Sequence, residues 1–174
     1  MKKTLLALAL IGASTSAFAD AWLYGGVSAG RADYNDNNDT PMGFHVGTGI
    51  LPIIGVEGGY WKHGNFDMTN RDTGASGYAE LGSWYAALKP SIDLGPVQLY
   101  AKGGLHYFNA DYKSGLSSQG SESGTDFMYG LGADYFVTDM LSIGASWQRF
   151  NGIKTVAGGQ DLDSFTINAT LHIF

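Results

Sequence analysis

"SFTINATLHIF" (residues 164–174) alternates strictly: Phe165, Ile167, Ala169, Leu171 and Ile173 fall on one phase, Thr166, Asn168, Thr170 and His172 on the other. Period two is the signature of a strand whose two faces meet different surroundings. The stretch ends on Phe174, an aromatic residue out of phase with Leu171 and Ile173. A last strand that is apolar on one side, polar on the other and tipped with Phe limits what can lie on each side of the sheet.

The same alternation recurs along the chain. Eight segments carry it, near 21–33, 42–50, 53–63, 77–89, 96–109, 126–136, 140–150 and 163–174. Each is long enough to be a strand, and helix signals are nearly missing. The connections fall into two classes that alternate along the chain. "LP" (51–52), "PSIDLG" (90–95) and "VTD" (137–139) are short, whereas "YNDNNDTP", "GNFDMTNRDTGAS", "ADYKSGLSSQGSESGT" and "NGIKTVAGGQDL" are longer and polar. Tight turns at one end and long loops at the other describe a meander of hairpins. An even number of strands lets the first and last pair and close the sheet, with both termini at the tight-turn end.

Residues 1–19, "MKKTLLALALIGASTSAFA", form a separate unit with Lys2 and Lys3, an apolar run and an Ala17-Phe18-Ala19 cleavage pattern. This is the layout of a secretory signal peptide, which leaves residues 20–174 as the folded domain. Its apolar run is about half of the ~20 residues that a membrane-spanning helix needs. Without it the 10 basic residues of the chain fall to 8 against 16 acidic, a formal charge of −8. That balance repels nucleic acid. Cysteine is absent, so no disulfide framework supports the exported chain. No later apolar run is long enough for a transmembrane helix.

The faces of the strands decide between water and lipid. In "GPVQLYAKGGLHYF", Val97, Leu99, Ala101 and Leu105 oppose Gln98, Tyr100, Lys102 and Gly104. In "DFMYGLGADYF", Phe127, Tyr129, Leu131, Ala133 and Tyr135 oppose Asp126, Gly130, Gly132 and Asp134, and in "IIGVEGGYW", Ile54, Val56 and Tyr60 oppose Gly55, Glu57 and Gly59. Charges beside glycine suit a narrow, polar, side-chain-filled lumen. An apolar outer face is stable only in lipid, where ring closure satisfies every backbone group. Aromatic residues near the segment ends (Trp22 and Tyr24, Tyr34, Tyr60 and Trp61, Trp84 and Tyr85, Tyr107 and Phe108, Trp147 and Phe150) are expected to form interfacial girdles. The fold class is therefore all-β: an eight-stranded antiparallel up-and-down transmembrane β-barrel. The competing architecture, a lipocalin-like periplasmic barrel, gives no role to the loop asymmetry or the terminal Phe.

Several fragments resemble the OmpA-like transmembrane domain and the small OmpX-type outer-membrane β-barrels, over essentially the whole length after residue 19. "WLYGGVSAGRADYND" is similar to the family's first strand and "LPIIGVEGGY" to its first turn, with Glu57 at the inward acidic position. "YAKGG" resembles the fifth strand with Lys102 inward, "GADYFVTD" the sixth strand with Asp134 inward, and "SWQRFNGI" the seventh strand. The resemblance implies residence in the outer membrane of a Gram-negative bacterium among lipid and lipopolysaccharide. It also implies that the barrel-insertion machinery reads Phe174 as an assembly signal, and that the loops meet a host or other surface ligand. OmpA proper continues into a peptidoglycan-binding domain, whereas this sequence stops at Phe174, so cell-wall tethering is not carried over. Gly144 stands where the family can place an inward Arg.

The candidate site is a lumenal ion-pair network of Glu57, Lys89, Lys102 and Asp134, with Glu80 on the opposite phase from Lys89. Two roles are open to it: a structural plug of paired charges, or a small pore that opens when a Glu57–Lys102 pair breaks. An enzyme is the third class. A lipid A deacylase of this fold uses His and Ser two residues apart, and no His-x-Ser occurs here. The related palmitoyltransferase carries a helix before its barrel, whereas Asp20-Ala21 leads straight into the first strand. "DYNDNND" (33–39) has Asn38 where a calcium loop needs Gly and Phe44 where it needs an acid, so no metal or other cofactor is implied. Divalent cations bridging the loop acids to lipopolysaccharide phosphates remain as unspecific contacts. The expected role is structural or surface contact, adhesion-like and non-enzymatic, with the low-conductance pore as the alternative and the lipid-modifying enzyme disfavoured.

Overall fold

The structure is a computed structural model and describes residues 23–173 except 35, 36, 52, 70–73, 75, 115–120, 156 and 157. The expected signal peptide, Trp22 and the terminal Phe174 with its slip in phase lie outside the described residues. Nine strands run through the rest: β1 (Leu23–Tyr34), β2 (Asn37–Asp39), β3 (Met42–Leu51), β4 (Ile54–Thr69), β5 (Ser76–Leu94), β6 (Val97–Ser114), β7 (Ser121–Thr138), β8 (Leu141–Thr155) and β9 (Gly158–Ile173). Every neighbouring pair is antiparallel, and β1 pairs with both β3 and β9. Eight long strands thus close an up-and-down ring, and the short β2 rides on the upper end of β1.

The strands climb as the ring closes. From Tyr24 the register steps through Gly47, Glu57, Ala87, Gly104, Met128 and Phe150 to Leu162, one residue beyond the Asp33–Asp163 pair. One circuit therefore lifts the ladder from the level of Tyr24 to that of Tyr34. That stagger tilts the strands and sets how side chains from distant positions meet inside.

Alternation turns the molecule inside out relative to a soluble protein. Ile167 is 70% exposed on the outer wall while Glu57 is completely buried within. Val27, Val46, Leu88, Leu99, Leu105, Leu131, Ile143 and Leu171 complete an apolar belt. Tyr60, Trp84, Tyr107 and Trp147 lie on the outward phase at its upper rim, and Arg31, Lys62, Asn109, Thr125, Arg149 and Asp163 follow above them. Water meets the wall at that rim, because tyrosine and tryptophan place an apolar ring and a polar tip across such a boundary.

Three expectations from the sequence need correction. First, five of these aromatic residues do not face outward: Tyr24, Trp61, Tyr85, Phe108 and Phe150 are buried in the lumen, because residues of opposite phase on a strand point to opposite faces. Second, "PSIDLG" is not a turn: β5 runs through it to Leu94, and the chain reverses at Gly95-Pro96, with Gly95 at a φ of 68°. Likewise β7 continues to Thr138 and reverses at Asp139-Met140. Third, much of the polar sequence assigned to loops is strand. β4 reaches Thr69, β6 reaches Ser114 and β7 starts at Ser121, so a sheet rises beyond the aromatic rim.

Two bulges change the phase of this extension in β4 and β8. The register of β4 against β5 shifts between Lys62 and Gly64, and that of β8 against β9 between Phe150 and Ile153. Gly64 (φ 122°) and Gly152 (φ 62°) take the left-handed backbone at these points. Beyond each bulge the inward phase changes parity, so Phe66 and Ile153 are buried where uninterrupted alternation would turn them out. An arginine at Leu131, midway up the outer wall of β7, is expected to cost ~2–4 kcal/mol, against ~0–1 kcal/mol for Thr125→Arg above the rim. Urea titration of both variants folded in lipid vesicles checks this, and equal costs would contradict the placement of the belt.

Candidate functional site: the lumen

The lumen is built in two storeys. The lower one gathers Glu57 of β4, Lys89 of β5, Lys102 of β6 and Asp134 of β7, all on inward phases and all at most 7% exposed. Lys102 Nζ donates to Glu57 Oε1 at 2.5 Å. Lys89 Nζ lies between the two acids, 3.7 Å from Glu57 Oε2 and 3.8 Å from Asp134 Oδ2. The charges therefore alternate along a chain, Lys102 to Glu57 to Lys89 to Asp134, and two acids balance two bases. Burying such ions is costly unless each is both paired and hydrogen-bonded.

Tyrosines and one asparagine supply the two acids with further hydrogen bonds. Tyr85 Oη donates to Glu57 Oε1 at 2.6 Å and Tyr24 Oη to Glu57 Oε2 at 3.2 Å. Asn168 Nδ2 donates to Asp134 Oδ1 at 2.7 Å. The Lys89 ammonium sits 4.6 Å from the Tyr24 ring centroid and 4.3 Å from that of Tyr100, within range of the attraction between a cation and a ring face. The glycines make room for these rings. A Cβ on Gly47 would stand 2.3 Å from the Tyr24 ring, and one on Gly132 would stand 2.4 Å from Tyr100.

The sequence reading missed these partners, and it assigned Tyr24 and Tyr85 to the girdles. The available signal was an inward-phase tyrosine facing an inward-phase glycine on the next strand. Gly144 also finds its reason here: a Cβ there would lie 2.0 Å from Asp134 Oδ1, so no Arg fits beside the acid. Asn168 of β9 donates to Asp134 Oδ1, while Lys89 lies on the side of Oδ2. Glu80 lies outside this cluster, on the face opposite Lys89 and paired in register with Asn65 and Asp111.

The upper storey departs from the expected polar lumen. Trp61, Phe66, Leu81, Phe108, Met128, Phe150, Ile153 and Leu162 are almost wholly buried and pack as one apolar cluster. The β8–β9 hairpin brings Phe150, Ile153 and Leu162 over the lumen. Its ladder to β7 ends at Met128–Phe150, while β7 continues alongside β6 to Ser121. Asp39 of β2 closes the opposite side by accepting from Asn65 N at 2.6 Å. The path through the barrel thus meets an ion-pair network and then an apolar plug.

A closed ring that is apolar outside, charged within and belted by aromatic residues defines an integral membrane β-barrel. The chain belongs to the outer membrane protein β-barrel domain family, whose model matches residues 4–172. It is a bacterial outer-membrane protein of the Gram-negative type. Among solved structures it is similar to Ail of Yersinia pestis, determined with the heparin analogue sucrose octasulfate (16% identity, 86% of this chain and 95% of that chain, TM-score 0.55). It is also similar to Neisserial surface protein A (16%, 87% and 96%, 0.58) and to OprG of Pseudomonas aeruginosa (13%, 87% and 96%, 0.60). At these identities the likeness is one of fold. No curated protein matches the sequence.

Lys102→Met is expected to destabilise the barrel by ~3 kcal/mol, because Glu57 then faces a single cation, Lys89, at the longer distance. Adding Glu57→Gln should return part of that loss. A double-mutant cycle in urea that showed strictly additive effects would contradict the coupling.

Proposed function

We propose that this protein is a non-enzymatic outer-membrane barrel with a structural and surface-contact role, carried by the sheet that rises above the aromatic rim. The supporting observation is strand length. A tilted strand crosses a bilayer in ~9–11 residues, whereas β4, β5, β6 and β7 have 16, 19, 18 and 18. The surplus displays Asp67, Tyr78, Glu80, Asp111 and Lys113 outward on a rigid scaffold, the arrangement on which binding surfaces are commonly built. Glu80 and Asp111 oppose each other directly in register, a like-charge pair that disfavours a polyanionic ligand. A basic partner, or lipopolysaccharide phosphates bridged by divalent cations, suits this face better than the sulfated sugar bound by Ail. The Phe174 tail serves assembly by the insertion machinery, after residues 1–19 direct export.

Two observations support a non-enzymatic role. Ser83 lies 2.5 Å from His63 Nε2, and Ser142 lies 2.9 Å from His172 Nε2. Both hydroxyls are at most 1% exposed inside the packed lumen, where a substrate has no approach. The pore reading rests on the network, yet the apolar plug lies in series with it. Lys102→Ala should therefore leave a planar bilayer as silent at neutral pH as the wild type does. Discrete openings on that single change would restore the network as the gate. Replacing residues 114–121 with a tight turn should lower adhesion of expressing cells ~tenfold while heat-modifiable gel mobility stays that of a folded barrel. Undiminished adhesion would move the contact away from the β6–β7 end.

A further inference from the structure

The four histidines of the chain all point into the lumen and are at most 5% exposed. Each is held by a neutral oxygen of another strand: His45 by Thr170, His63 by Ser83, His106 by the Asn151 carbonyl and His172 by Ser142. The fixed charges around them already cancel, Glu57 and Asp134 against Lys89 and Lys102. Any proton taken up by an imidazole therefore adds net charge to an enclosed space. Two of the rings belong to the plug. His63 and His106 both meet Phe150 edge-on, with centroids 4.6 and 5.3 Å away.

We propose that the apolar plug is an acid-released closure, in which protonation of His63 and His106 charges the packing around Phe150 and frees the β8–β9 hairpin from the lumen.

The surroundings of the two rings decide how they respond. His63 faces Trp61 on its own strand, Ser83 of β5, Phe150 of β8 and His106 of β6, with no carboxylate among these contacts. His106 stands in register with Tyr85 of β5 and Asp126 of β7, and β8 offers it the Asn151 carbonyl. β9 and β1 contribute uncharged Leu162, Ser164 and Ala32. Glu57 and Lys102 lie in the storey below, with Tyr85 bonded to Glu57, and Glu122 is engaged by Tyr112 above. Asp126 is thus the acid that faces the pair among the described residues. It already accepts from Phe127 N, and a single acid cannot balance two imidazolium ions.

His63 lies above the aromatic rim, where burial, and then the neighbouring His106, lowers its imidazole to about 3. A histidine lowered in the packed state imposes no penalty above its ordinary pKa of 6.5. The plugged state loses stability progressively as pH falls from there toward 3, because the released ring takes the proton more readily. The hairpin is the element able to respond. Beyond Phe150 it has no ladder to β7 among the described residues, and its own register shifts at the Gly152 bulge.

The test is single-channel current from the folded full barrel in a planar bilayer at about pH 7.5 and about pH 5, the range in which histidine changes charge. Wild type should be silent at the higher pH and open at the lower, while His63→Gln with His106→Gln stays silent at both. Wild type silent in acid, or a double variant that opens as wild type does, overturns the proposal. Should the double variant not fold, a single cysteine answers the same question, since the chain has none. Ser164→Cys in the plug should react with an impermeant thiol reagent ~tenfold faster in acid, relative to Thr125→Cys on the outer wall. An unchanged ratio overturns the proposal equally.

Discussion

Lipid offers no hydrogen-bond partner to a peptide group, and most of this structure follows from that. Each N–H and C=O in the belt must be paired within the chain, and the β1–β9 ladder, from Leu23–Ile173 to Asp33–Asp163, removes the last open edge there. Closure fixes strand number, stagger and lumen width together. It also commits each residue of the belt to one of two environments, because a shift of one residue would exchange lipid-facing Ile167 for Asn168 and every neighbour likewise.

A lumen this narrow must be filled, and the chain fills it by two different chemistries. Below, four ions are neutral as a set, and tyrosine hydroxyls and Asn168 donate to the two acids, which makes the set tolerable in a low dielectric. Above, where the wall has already left the membrane, aromatic and aliphatic side chains form a core like that of a soluble domain. The change of solvent outside explains the change of filling inside. Within the belt the outward phase is needed for apolar residues, so polar ones go inward. Above the rim the outward phase is polar and the inward phase can be apolar.

This reversal also bears on function. A barrel that ended at the rim would present only turns to the exterior. Here the four central strands carry a packed and therefore rigid sheet into the surrounding water, and its outward residues are held in a fixed pattern. The same plug that stiffens the sheet also fills the lumen.

The sequence determined the ring. Alternation over eight segments, an even count, two classes of connection and charges beside glycine suffice to specify a transmembrane barrel, and they place Glu57, Lys89, Lys102 and Asp134 on the inward phase. These features are local, with period two, and a bulge-free strand transmits them faithfully. Only the tertiary structure decided which inward residues touch. The stagger of the ring brings Tyr24 of β1 to Glu57 of β4 and Asn168 of β9 to Asp134 of β7. The bulges at Gly64 and Gly152 changed the phase of the upper strands, so the places of Phe66 and Ile153 in the apolar plug were illegible to a reading that counts in twos. Period carries information along a strand, whereas stagger and bulges are properties of the pairing between strands.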